Sequence, residues 1–186
     1  RSFVVVSATS GTTNQLIKIF QNPNDATQEF KLLKERHLKI GRSERLNSIL
    51  SDLEKTIATL FPANDEKLDT LLAFGERLSA ELFSNVLRQK GAKVSTLDAR
   101  NFVKTNSRFG KAEVQIEAML KECASLQGHI KNTQDIFVTE GFIGSDLEGR
   151  TTTLGRGGSD YSAALFAECL KTEKVEIWTD VAGIYS

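Results

Sequence analysis

A planar guanidinium held among glycines is suited to gripping a carboxylate through two parallel hydrogen bonds, a geometry that lysine does not copy. The sequence offers one such place, Gly149-Arg150-Thr151-Thr152-Thr153-Leu154-Gly155-Arg156-Gly157-Gly158-Ser159-Asp160. Gly155, Gly157 and Gly158 allow backbone to approach a ligand closely around Arg156, and Ser159 and Asp160 fall where the free N–H donors of a following helix begin. The plain alternative is a glycine-rich, hairpin-like loop with a solvent-exposed arginine. A second stretch, Ser7-Ala8-Thr9-Ser10-Gly11-Thr12-Thr13-Asn14, gathers hydroxyls and a glycine ahead of a helix, which suits either an anion or a simple capped turn. A third, Asp180-Val181-Ala182-Gly183-Ile184-Tyr185, places an acid at a strand end with a glycine turn and a tyrosine, groups that suit a ribose hydroxyl and an adenine face. Finally, Glu76 falls four residues after Leu72 and seven before Phe83, so it points along an apolar helical stripe. A carboxylate there is costly unless a cation or hydrogen-bond donor meets it, either a ligand ammonium or an internal partner such as Arg77 or Arg156.

Two familiar phosphate-binding patterns are disfavoured. No Gly-x-x-x-x-Gly-Lys-Ser/Thr occurs, and Gly155-x-Gly157 lacks the third glycine of a dinucleotide fingerprint. His37 and His129 have no nucleophile or ligand pattern nearby and read as surface or structural residues. Cys123 and Cys169 lie in helical sequence and read as small apolar core residues of a reducing compartment. The basic run from Lys31 to Arg45 is interleaved with Glu35 and Glu44, which makes it a solvated helix face.

The elements that must position these groups read as one α/β domain over residues 1–186. Phe3-Val4-Val5-Val6-Ser7 is β-branched without alternation, as in a strand buried on both faces of a parallel sheet. A chain that opens on a central strand implies further residues of the fold before Arg1. Helices follow to about residue 59, broken near Pro23 and at Gly41; a long helix spans 65–89 with Gly91 as its stop. The spacing then predicts a strand over 93–97, a helix over 109–126, a strand over 135–143, an apolar helix over 161–170 and a strand over 175–179. This alternation predicts a three-layer α/β/α sandwich around a mainly parallel sheet, whose ligands sit beyond the carboxyl ends of the strands. Twenty-four basic residues balance twenty-four acidic ones, which gives no net field for nucleic acid or an anionic membrane. With no long apolar run and no secretory leader, the cytoplasm is the expected compartment.

Taken together, Phe74-Gly-Glu-Arg-Leu-Ser79, Thr105-Asn-Ser-Arg-Phe-Gly110, Gly141-Phe-Ile-Gly144, Arg150-Thr-Thr-Thr-Leu-Gly-Arg-Gly-Gly-Ser-Asp-Tyr161 and Trp178-Thr-Asp-Val-Ala-Gly-Ile-Tyr185 resemble the aspartokinases of the amino-acid kinase superfamily, in order and spacing. The resemblance runs from Val4 to the last residue and is nearest to the lysine-sensitive, monofunctional bacterial type. It implies transfer of the γ-phosphoryl group of ATP, with Mg2+, to the side-chain carboxylate of L-aspartate, the first step towards lysine, threonine and methionine. It further implies that Thr13 and Glu76 contact the amino acid, Glu76 at its ammonium, while Arg156, Gly157, Gly158 and Ser159 hold its carboxylate and Asp160 orients the site. Thr179, Asp180 and Tyr185 become nucleotide contacts, and the full-length protein a homo-oligomer.

The sequence departs from that family in four respects. The strand ending in Lys-Phe-Gly-Gly-Thr-Ser, the later arginine and lysine of the nucleotide site, and the regulatory ACT domains are not among these residues, and Ala182 stands where proline is usual. The fold is therefore expected to be incomplete at both ends, and turnover by these residues alone small. The rival readings are another amino-acid kinase, acting on acetylglutamate or a nucleoside monophosphate, or a non-catalytic fragment. Glu76 discriminates, because it suits a free α-ammonium better than an acylated amine or a phosphate.

Overall fold

The computed structural model describes residues 2–178, apart from the side chains of His129 and Lys131, so the expectation for His129 lies outside what is described. Strand β1 (Phe3–Val6) leads through helices α1 (Thr12–Gln21), α2 (Ala26–Ile40), α3 (Glu44–Ala58) and α4 (Asp65–Gln89) to β2 (Val94–Thr96). Helix α5 (Ile116–Asn132), strands β3 (Ile136–Glu140), β4 (Ile143–Ser145) and β5 (Thr151–Thr153), and helix α6 (Gly158–Leu170) complete it. The order β1-β3-β2 is parallel throughout, and β4 and β5 form an antiparallel pair. Helix α4 packs against β1, β2 and β3, with α1 and α3 outside it, while α6 reaches β1 and pairs with α5, so helices flank a mainly parallel sheet as the alternation predicted.

Local chemistry explains where the elements begin and end. Asn64 caps α4 by accepting from Lys67 N at 2.8 Å, and Asp65 and Glu66 in its first turn favour the positive helix end. Ser43 does the same for α3 at 3.0 Å. Gly91 ends the α4 segment with φ 84°, the left-handed conformation for which glycine is suited. One apolar core lies among α1 to α4, around Leu16, Phe30, Leu53 and Leu78. A second joins Val103, Met119, Phe166 and the two cysteines to Phe3 and Val5 of β1. Cys123 and Cys169 are free and buried, as expected of core residues, and burial pushes the Cys123 thiol up to about 12.

Three expectations are corrected. Helix α5 starts at Ile116 rather than 109, because Gly110 takes φ 78° and Thr105 pairs with Val114 as an antiparallel bridge, which commits the intervening residues to a loop. The run 135–143 is two strands, broken where Phe142 turns to φ 66°, and Thr151–Thr153 form a hairpin strand within what read as a loop. Val175 to Trp178 form no strand with any described segment, and Trp178 is 89% exposed. Residue 179 and those after it lie outside the described residues.

The hairpin is fastened to α4 by a buried carboxylate. Asp69 accepts from Thr153 N at 2.8 Å, Thr153 Oγ1 at 2.7 Å and Gly110 N at 2.8 Å. Burial pushes this carboxyl up, and the three donors pull it back. Asp146 closes the other end of the hairpin, accepting from Glu148 N, Arg150 N, the Arg150 guanidinium and Ser107 Oγ. The Arg150 guanidinium also stands over the Phe109 ring, at 5.3 Å. The Thr105–Gly110 motif and the Arg150 threonine run are thus one structural unit. Asp69→Ala leaves two backbone amides without acceptors in a dry interior, at a cost of about 3 kcal/mol. Urea unfolding followed by circular dichroism should show that loss, with a smaller one in Asp69→Asn.

Candidate functional site

Several of the candidate groups lie at the carboxyl end of the parallel strands. Val6, the last residue of β1, sits opposite Glu140, the last of β3, and Gly141 N donates to Val6 O at 2.8 Å. Beyond that edge the chain after β1 turns sharply, with Thr12 N donating to Thr9 O at 3.0 Å and Gly11 at φ 77°, into α1. Helix α4 passes close beneath this turn because residue 75 has no side chain. A Cβ there would lie 3.0 Å from Ala8 Cβ and 3.4 Å from Thr12 Cγ2.

That approach brings Glu76 to the turn. Its Oε1 accepts from Ala8 N at 3.3 Å, and its Oε2 is buried with no hydrogen-bond partner among the described residues. The residue is 4% exposed. Burial first, and the neighbouring Glu140 carboxylate in addition, push its carboxyl up to about 8. Neither internal partner envisaged for it is in place. Arg77 lies over the Phe74 ring at 4.7 Å, and the exposed Arg156 makes no hydrogen bond or ion pair among the described residues. The site therefore holds an acidic group prepared for a donor that the described residues do not supply.

The start of α6 forms the opposite wall. A Cβ at Gly141 would fall 2.8 Å from Ser159 Cα, so only glycine permits the end of β3 to touch this helix. Phe142, a non-glycine residue at φ 66°, donates its N–H to Ser162 Oγ at 3.0 Å, and Ser162 Oγ donates to Gly158 O at 2.8 Å. The Phe142 ring fills the space that a side chain at residue 158 would need, 2.7 Å from such a Cβ. Gly157 enters the helix at φ 71°, and no side chain caps it; Gly158 N donates to Gly155 O at 3.1 Å, while the Ser159 and Asp160 N–H groups have no partner among the described residues.

The structure thus brings Glu76, Thr13, Gly158 and Ser159 to one end of the sheet, with Thr13 in the first turn of α1. Arg156, Gly157 and Asp160 lie on the exposed lip of the α6 wall. Thr179, Asp180 and Tyr185 fall outside the described residues. Among the described residues no group of three or more His, Cys, Asp or Glu stands close enough to hold a metal ion. No helix among them is long and apolar enough to cross a membrane.

Sequence reasoning missed three contributors. Arg36, taken as part of a solvated face, turns inward and donates to Thr12 Oγ1 at 2.8 Å, with its Nε buried and unpaired. His37 is buried beside it. Its Nδ1 lies 2.8 Å from Leu33 O, which fixes the proton there, so Nε2 accepts from Thr9 Oγ1 at 3.2 Å. Thr9 Oγ1 in turn accepts from Thr12 Oγ1 at 2.7 Å. A chain of hydrogen bonds thereby fixes the turn that presents Ala8 N. The helical spacing of Ala26, Phe30, Leu33 and His37 carried that signal. Phe142 carried none, because a positive φ on a bulky residue is imposed by tertiary packing.

Burial, aided by the Arg36 charge, pulls His37 below its ordinary value, against the bond to Leu33 O. The unfolded chain therefore takes up this proton first as pH falls. The contribution of neutral His37 is complete above about pH 6.5 and is lost as pH falls from there through the folded value. The stability difference between wild type and His37→Gln, from urea midpoints at several pH values, should shrink on acidification by at most about 1.4 kcal/mol per pH unit.

The sequence matches the Amino acid kinase family profile over residues 1–186. It is 40% identical to the lysine-sensitive aspartokinase 3 of Escherichia coli over 98% of this chain and 43% of that protein, and 31% identical to an aspartokinase of Chlamydia muridarum over the whole of this chain and 43% of that one. The chain thus spans less than half the length of these relatives. Its fold superposes on the crystal structure of E. coli aspartokinase III in complex with aspartate and ADP with a TM-score of 0.89 and 36% identity, covering 99% of this chain and 43% of that one. A Clostridium acetobutylicum aspartate kinase, at 20% identity and a TM-score of 0.74, shares the fold. With a profile match along its entire length, the chain belongs to the amino acid kinase family.

Proposed function

We propose that these residues form part of the catalytic domain of an aspartokinase, which transfers the γ-phosphoryl group of ATP to the side-chain carboxylate of L-aspartate and releases ADP and 4-phospho-L-aspartate. The observation that carries this reading is Glu76 Oε2, a buried carboxyl oxygen without a partner at the carboxyl edge of a parallel sheet. A free α-ammonium satisfies it, whereas an acylated amine or a phosphate does not. The likeness to an E. coli enzyme whose crystal structure holds aspartate and ADP supports the same reading.

In this mechanism the α-ammonium docks on Glu76 and gives the carboxyl reason to ionise. Arg156, with the backbone of Gly157 and Gly158 and the Ser159 hydroxyl, holds the α-carboxylate; Thr13 bounds the pocket and Asp160 orients the α6 wall. The side-chain carboxylate needs no general base, since an aspartate carboxyl with a pKa of about 3.9 is already ionised at neutral pH. One of its oxygens attacks the γ-phosphorus in line as the bond to the β-phosphate oxygen breaks. The protein's work is to bring two anions together and stabilise the moving charge with oriented donors. Mg2+ travels with the nucleotide phosphates, and Thr179, Asp180 and Tyr185 meet the adenosine. The reading also carries the early step in lysine, threonine and methionine formation, a cytoplasmic site of action and a homo-oligomeric parent.

Calorimetry with L-aspartate tests the amino-acid site directly. Glu76→Gln and Arg156→Ala should each weaken binding by roughly 10- to 100-fold, the loss expected for one charged hydrogen-bond partner. N-acetyl-L-aspartate should bind neither wild type nor variants. Equal binding of the acetylated ligand to wild type would remove the role given to Glu76.

A further inference from the structure

A cavity of about 250 Å³ opens between α3, α4 and the carboxyl ends of β2 and β3. At 3.6 residues per turn its α4 residues, Arg77 and Glu81, lie roughly 100° and 140° round the helix from Glu76, so it is a different face from the one described above. Its charges are of two kinds. Asp98 is satisfied by Arg100, which donates to it at 2.6 and 2.9 Å, and Asp52 has Lys55 at 3.5 Å. Arg77 and Glu140 form no ion pair among the described residues, and Glu81, although two arginines stand at ion-pair distance from it, keeps one oxygen without a hydrogen bond.

Glu81 is 2% exposed, and its Oε1 accepts from Ser43 Oγ at 2.7 Å, but its Oε2 receives no hydrogen bond. Arg45 Nε and Arg88 Nη1 stand off from that oxygen at 3.6 and 3.9 Å. Glu140, 5% exposed, accepts from Ala99 N and Thr139 Oγ1 through Oε2 alone. Among the described residues the Arg77 guanidinium has no hydrogen bond or ion pair; it rests on the Phe74 ring, although Glu81 lies one helical turn further along, the spacing at which the two would pair. The wall of the cavity therefore carries a guanidinium without an ion pair among the described residues and, about one turn away, a carboxylate oxygen that two arginines approach but that receives no hydrogen bond.

Single-charge ligands leave one of these groups unsatisfied. A metal ion is disfavoured, since no three acidic, histidine or cysteine side chains converge among the described residues. The volume falls below the roughly 300–1,000 Å³ of sites for drug-sized molecules, which excludes a nucleotide. A molecule with a carboxylate at one end and an ammonium at the other meets both requirements. We propose that this cavity binds a small zwitterionic amino acid, its carboxylate on Arg77 and its ammonium on Glu81 Oε2 with Glu140 alongside, separately from the site built on Glu76.

Titration of the 15N-labelled chain with glycine and with γ-aminobutyrate, whose charges differ in separation, tests this. At least one of them should produce saturable shifts of the Arg77, Glu81 and Ala99 amides, weakened roughly tenfold or more in Arg77→Leu and in Glu81→Gln and unchanged in Glu76→Gln. Acetate and methylammonium, each with one charge, should bind at least tenfold more weakly than that zwitterion. If Arg77→Leu does not fold, Arg77→Lys, which keeps the charge without the planar pair of donors, serves instead, and its binding should be weaker than wild type. No saturation by either probe at roughly 50 mM, some fifty times a 1 mM dissociation constant, would overturn the proposal. So would shifts that persist undiminished in the Arg77 variant or vanish in Glu76→Gln.

Discussion

The distance between three pieces of backbone governs this molecule. At the carboxyl edge of the sheet the turn after β1, helix α4 and the start of α6 come very close, with Gly141 against Ser159 at a distance no side chain permits and Gly75 under Ala8 at one that leaves a side chain crowded. Neither glycine has a positive φ, so conformational freedom is not what either provides. What they provide is the missing Cβ. Everything else at this edge is arranged to hold the contact: the Phe142 amide and Ser162 on one side, and the Thr9, Thr12, His37 and Arg36 chain on the other.

The consequence of that closeness is electrostatic. Glu76 is carried into a place too dry to ionise cheaply, with one backbone amide for one oxygen and nothing for the other. Glu140 nearby makes ionisation harder still. A fold that stores an unmet acidic group at a strand edge gives up stability there, a pattern common where a ligand completes the charge balance. Asp69 and Asp146, equally buried, show the contrast. Each is surrounded by donors from its own chain, and each fastens the hairpin rather than awaiting a ligand.

Much of this was legible in the sequence, for physical reasons. The long helix α4 announced itself through apolar spacing and the Gly91 stop, and Glu76 stood out because a carboxylate on an apolar stripe demands a partner. The glycines around Arg156 marked the α6 entrance correctly. The hairpin of β4 and β5 was not legible, since strands of three residues give too short a pattern, and β5 is held by Asp69 eighty-four residues away from Thr153. Nor was the inward turn of Arg36, whose charged neighbours mask it. The segment before α5 looked helical because its loop geometry depends on Gly110 and a bridge to Thr105, contacts that periodicity does not encode.

The central claim is that Glu76 is protonated in the free chain and is ionised by an incoming ammonium. Carbon-13 detection of its carboxyl group through a pH titration, with and without saturating L-aspartate, measures this directly. The account predicts a midpoint near 8 in the free chain, falling well below neutrality when aspartate is bound. A midpoint in the ordinary glutamate range in the free chain, or one that aspartate does not move, would contradict it.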